Sequence, residues 1–125
     1  MTLSNINNRF ANVSTAEIGL QILIRPGIPP KKRHVIEDAL MEAGCEVAGG
    51  GGFNDGTESD ISVFVDSVKG RLPMIMSILQ KAKIGTESIV CQDGESRVEY
   101  PVYASAETWL SQIPPESNRP WWKFW

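Results

Sequence analysis

Apolar and polar positions alternate strictly over residues 16–25. Ile18, Leu20, Ile22 and Ile24 share one side, while Glu17, Gly19, Gln21 and Arg25 lie mainly on the other. A period of two predicts a strand with one buried face. Pro26-Gly27-Ile28-Pro29-Pro30 ends it. Proline is favoured at a first helical position, so a helix is predicted from Pro30 to Ala43. Val35, Ile36, Ala39, Leu40 and Ala43 form its apolar stripe, and Gly44 suits the left-handed residue after a helix. Cys45-Glu46-Val47 reads as a short second strand. Ile61, Val63 and Val65 alternate with Ser62, Phe64 and Asp66 in a third, with Phe64 suggesting cover on both faces.

A second helix is predicted from Lys69 to Lys83, burying Leu72, Ile75, Met76, Leu79 and Ala82. Pro73 fits only a first turn, which argues for a start later than Lys69. Gly85 reads as its stop. Ser88 to Gln92 and Arg97 to Tyr103 are strand-like around Asp93-Gly94, a signal for a two-residue hairpin. The order strand, helix, strand, strand, helix, strand, with a hairpin extension, predicts an α+β fold. It matches the ferredoxin-like split βαβ sandwich, an antiparallel sheet with two helices on one face. Residues 1–15 read as a flexible N-terminal arm, 16–103 as the domain and 104–125 as an aromatic tail. That tail carries a short helix-like piece around Trp109 and Leu110 and ends in Trp121-Trp122-Lys123-Phe124-Trp125.

Composition narrows the function classes. A chain of 125 residues with 42% hydrophobic content fits one globular domain. A net charge of −3 argues against general nucleic-acid binding. No apolar run has the length of a membrane span, and residues 1–9 lack the pattern of a secretory signal, so a cytoplasmic protein is expected. Cys45 and Cys91 sit in apolar contexts and read as reduced, buried thiols.

The run Gly49-Gly50-Gly51-Gly52 has no side chains to give a core. A phosphate loop would need a lysine and a hydroxyl residue before a helix, and here no lysine occurs in residues 48–68 and a strand follows. The run therefore reads as a hinge between two central strands, leading into an acidic loop. Asp55, Glu58, Asp60 and Asp66 do not have the spacing of a calcium loop, so no metal or cofactor is expected. They read as a solvated acidic edge or as a surface for a basic partner. Lys31-Lys32-Arg33-His34 is a solvated basic turn or an anion contact. His34 is the sole histidine, and Ser59 and Ser96 have no evident base, so no catalytic set emerges. The terminal aromatics either fold back over the open face of the sheet or dock on another chain, since tryptophan is enriched at interface hot spots.

Two resemblances follow. Arg25-Pro26-Gly27-Ile28, a helix, then Ala43-Gly44-Cys45-Glu46-Val47 resembles the start of ACT-type regulatory domains. That resemblance implies a small effector held near Gly27 and Lys31 at the N-terminus of the first helix. Over residues 18–103, the helix, Ala43-Gly44, the Gly-rich connection and Asp60-Ile61-Ser62-Val63 resemble small bacterial immunity-type proteins paired with polymorphic toxins. That resemblance implies a non-enzymatic protein that binds and blocks a cognate toxin. On this expectation Phe53, Asp55, Glu58, Asp60, Trp121, Trp122 and Trp125 carry partner binding, with small-ligand binding at Gly27 and Lys31 as the alternative.

Overall fold

A computed structural model describes residues 18–52, 56–93 and 97–114. Five strands form one antiparallel sheet: β1 (Ile18–Ile24), β2 (Glu46–Gly52), β3 (Ser59–Val65), β4 (Ile89–Gln92) and β5 (Val98–Pro101). Their order across the sheet is β2-β3-β1-β4-β5. The helices among the described residues are α1 (Pro30–Glu42), α2 (Val68–Lys81) and α3 (Ala106–Gln112). The architecture is α+β, as the hydrophobic pattern predicts.

Register explains the core. Residues directly opposite in an antiparallel pair share a face, and β1 lies between β3 and β4 with Leu20 opposite Val63 and Ile22 opposite both Ile61 and Val90. This face is closed by Ile36 and Leu40 of α1 and by Leu72, Ile75, Met76 and Leu79 of α2. Both long helices therefore cover the same side. Each such side chain contributes about 1.5–3 kcal/mol by leaving water. The other face carries Gly19, Gln21, Asp60, Ser62 and Phe64 by the same register.

α2 begins where Ser67 caps it, its hydroxyl accepting from the Gly70 N–H at 3.0 Å. α1 ends through Gly44, whose φ of 95° is a backbone conformation glycine adopts without penalty. Arg71 locks the two helices together. Its guanidinium donates to the Ala43 carbonyl at 3.0 Å and pairs with Asp66 at 3.2 Å.

Several expectations are corrected. The glycine run is not a hinge: Gly49 to Gly52 are strand residues paired with Ser62 to Ser59 of β3. β2 is an edge strand rather than a central one. Main-chain hydrogen bonding needs no side chain, so pairing overrides the low strand preference of glycine. Phe64 is not covered on both faces; it is 37% exposed because no described helix lies over its side of the sheet. α2 starts at Val68 and keeps Pro73 in its interior. Pro73 and Lys69 are both exposed, so the carbonyl that loses its helical partner faces water. The left-handed residue after α2 is Lys83 (φ 57°), not Gly85. Gly85 is instead pressed against Arg25 and Pro26, where a side chain would have no room. Finally, Gln92 pairs with Val98, so residues 93–97 join β4 to β5 rather than a two-residue Asp93-Gly94 turn.

Candidate functional site

The C-terminal end of β1, the end of β2 and the start of β3 meet the N-terminus of α1. Pro29 is the extended residue before α1 (φ −64°, ψ 151°), and Pro30 is its first helical residue. Two latches hold this corner. The Gly27 N–H donates to the Gly56 carbonyl at 2.8 Å. The Ser59 hydroxyl accepts from the Ile28 N–H at 2.9 Å and donates to the Ile28 carbonyl at 3.2 Å. Ser59 is buried, and its hydroxyl links the start of β3 to the main chain of Ile28. Between these parts lies a cleft of about 420 Å³, bordered by Gly27, Ile28, Pro29, Arg33, Gly52 and Gly56.

The glycine run brings α1 down onto this cleft. A Cβ on Gly50 would lie 2.7 Å from Glu37 Oε2, 3.3 Å from Arg33 Nε and 2.7 Å from the Asp60 carbonyl oxygen. On Gly52 it would meet the Glu58 carbonyl at 3.2 Å and Ser59 Oγ at 3.3 Å. Bare backbone is what lets the polar flank of a helix rest on an edge strand here. Arg33 and Glu37 are one turn apart, with Nε 3.4 Å from Oε2. That spacing makes an ion pair, yet Arg33 Nε, withdrawn from water, has no hydrogen-bond partner among the described residues.

The helix turn beside the cleft is basic, although Arg33, the one charged residue that lines the cleft among the described residues, is paired with Glu37. No acidic residue occupies the first turn of α1, while Lys31, Lys32 and Arg33 do. A helix N-terminus carries a partial positive charge and amides without helical partners. Here Pro30 has no N–H and the Arg33 N–H reaches the Pro29 carbonyl, leaving the Lys31 and Lys32 amides at the helix end. The acidic residue at the neighbouring rim is already engaged: Glu58 Oε1 accepts from Arg25 Nε at 2.7 Å.

Elsewhere, the Arg71 hydrogen bond holds Asp66 below the usual carboxylate range. Burial pushes both thiols above their usual range; at Cys91 a hydrogen bond from Arg97 at 3.1 Å opposes this. Both cysteines are free and buried. No cluster of three or more metal-ligating side chains occurs among the described residues, and no helix there is long and apolar enough to cross a membrane.

The sequence-predicted residues divide into three sets. Phe53, Asp55, Trp121, Trp122 and Trp125 lie outside the described residues. Glu58 and Asp60 are described but tied within the chain, Asp60 accepting from the Gln21 amide at 3.1 Å. Gly27 lines the cleft, and Lys31 is exposed on the helix turn above it. A second, shallower groove of about 320 Å³ lies on the face that no described helix covers, beside Gly19, Gln21, Ser62, Phe64 and Asp93. Sequence reasoning named Arg33 within a basic turn open to an anion contact, but missed Ser59 and Glu37 as parts of the corner. Ser59 had a legible signal, since it occupies the inward position of the Ser59, Ile61, Val63, Val65 alternation. Comparison of the chain with protein-family models, curated proteins and solved structures returned no match.

Proposed function

We propose that this chain is a non-enzymatic binding module on a split βαβ plan, and that its cleft receives a small anionic ligand. The observation that carries this is the convergence at Gly27 of a helix N-terminus without acidic residues, the Arg33 side chain and a wall of glycine backbone. Carboxylate and phosphate groups suit such a corner because amide dipoles and cations face it together. This is the ACT-like reading, in which Gly27 and the start of α1 hold an effector. Thermal-shift titration with inorganic phosphate, amino acids and nucleotides tests it. A ligand at a hundred times its Kd raises stability by about 2.7 kcal/mol. Arg33→Gln abolishes that gain; if no probe moves the melting temperature of the parent protein, the reading is wrong.

A second reading, an immunity-type module that blocks a protein toxin, is favoured by the sheet face that no described helix covers. There Phe64 is exposed beside a groove rimmed by Asp93, an arrangement suited to an apolar anchor flanked by a basic residue. Co-elution of a protein partner that is lost on Phe64→Ser supports it. A parent protein eluting without any partner from its native host counts against it.

A further inference from the structure

The face of the sheet away from α1 and α2 is not polar throughout. By register it carries Leu23, Ile89 and Cys91 towards β4, and Phe64 at the far end of β3. Leu23 is only 6% exposed and Cys91 1%, although no described helix lies on this side. Phe64 leans over Gly19, where a Cβ would lie 3.4 Å from its Cε1. Beside that ring, the groove is bordered by Gly19, which has no side chain, and by the exposed Asp93. A slot next to an aromatic ring, with a carboxylate near it, suits a second flat ring accompanied by a cation. Rings pair there in offset or edge-to-face geometry.

The chain itself supplies such a group. Residues 115–125 lie outside the described residues and contain Arg119, Trp121, Trp122, Lys123, Phe124 and Trp125. They follow α3, which is tied to the β5 edge: Trp109 Nε1 donates to the Pro101 carbonyl at 2.6 Å and the Gln112 amide to the Glu99 carbonyl at 3.0 Å. The stretch from Pro114 to Trp121 can span about 23 Å when extended. From β5 across β4 and β1 to β3 is about 14 Å at the usual strand spacing. The aromatic residues therefore reach Phe64 with chain to spare. Left in water, their four rings would expose about 600 Å² or more of apolar surface. Charge agrees as well, since the face carries Asp60 and Glu99 by register and Asp93 at the groove. Residues 1–17 precede β1 and are also near in sequence, but they offer one aromatic, Phe10, among asparagines.

We infer that residues 121–125 dock on this face of their own chain, with a tryptophan ring in the groove beside Phe64 and Arg119 and Lys123 towards its acidic groups. The inference does not depend on what the cleft binds. Under the second reading above, a protein partner reaches Phe64 only by displacing this cover.

Nuclear Overhauser spectroscopy of the full chain tests it, with a mixture of isotope-labelled and unlabelled chains as the second sample. The expected result is contact within one chain from the indole protons of Trp121, Trp122 or Trp125 to the Phe64 ring and the Gly19 Hα. Ser62→Lys places a cation in the groove, abolishes these contacts and lowers Tm by several degrees. Unmoved methyl signals of Ile36, Leu40 and Leu72, on the opposite side of the sheet, verify folding of that variant. Absence of indole contacts to this face in the parent protein overturns the inference. Contacts seen only between labelled and unlabelled chains also overturn it, because a second copy then fills the groove. Contacts from Phe10 in their place, or indole contacts that survive Ser62→Lys, do the same.

Discussion

Gly50→Ala is the sharpest perturbation of the corner between α1 and β2. The added methyl would sit 2.7 Å from the Asp60 carbonyl oxygen and 2.7 Å from Glu37 Oε2. Glu37 is a flexible side chain and can withdraw, at the expense of its pairing with Arg33. The Asp60 carbonyl belongs to the backbone of β3 and cannot move without disturbing the β2–β3 ladder. Overpacking of this kind costs about 1–3 kcal/mol. Replacing glycine also removes freedom from the unfolded chain, which returns about 0.4–1 kcal/mol. The expected net loss is about 1–2 kcal/mol, or a fall of several degrees in Tm. Gly51→Ala is the matched control, since its methyl would meet Asp60 Oδ1 at an ordinary 3.5 Å. It keeps the entropic gain and is neutral to slightly stabilising. Urea denaturation should show a lower midpoint for Gly50→Ala with an unchanged slope, and none for Gly51→Ala. Equal effects at the two positions would refute the tight packing around Gly50, above all against the Asp60 carbonyl of β3.

Ser59→Ala leaves the Ile28 N–H and carbonyl without their buried partner and lowers stability by about 1–3 kcal/mol in chemical denaturation. Arg71→Ala frees the end of α1 from α2 and costs about 1 kcal/mol, measured the same way. Asp66 has a depressed pKa when folded, so its contribution is present above the unfolded carboxylate value of about 3.9 and disappears as pH falls through the lower folded value. Asp66→Asn is therefore less stable than the parent at pH 7 and equal to it at strongly acid pH. Both thiols should resist a thiol-reactive probe in the native state and react fully in denaturant, because each is buried and its pKa raised. Fast labelling of either in the native protein would contradict its burial.

Much of the fold was legible because side-chain periodicity reports which face is covered. The stripes on α1 and α2 and the alternation of β1 and β3 required only local reading. The glycine run was opaque for the same reason: without side chains it carries no periodicity. Its strand character comes from pairing with Ser59 to Ser62, a partner distant in sequence. The start of α2 misled because Pro73 was weighed as a local breaker, whereas the Ser67 cap and the buried row from Val68 to Leu79 outweigh one lost hydrogen bond. At the candidate site Gly27 was readable as a turn residue after β1. Arg33 was readable as part of a basic turn open to an anion contact; its pairing with Glu37 was not, since an ion pair lying on an edge strand depends on tertiary approach. The acidic residues Glu58 and Asp60 looked available in sequence, but Arg25 and Gln21 come to them from the neighbouring strand and its turn.

The account rests most heavily on the cleft as an anion-binding corner. Amide NMR titration with inorganic phosphate, followed by the amino acids and nucleotides, tests this directly. The predicted result is a saturable shift centred on the Gly27, Lys31, Lys32 and Gly52 amides and on Arg33 Nε, lost in Arg33→Gln. Shifts confined to other surfaces, or none at millimolar concentrations of every probe, would contradict it.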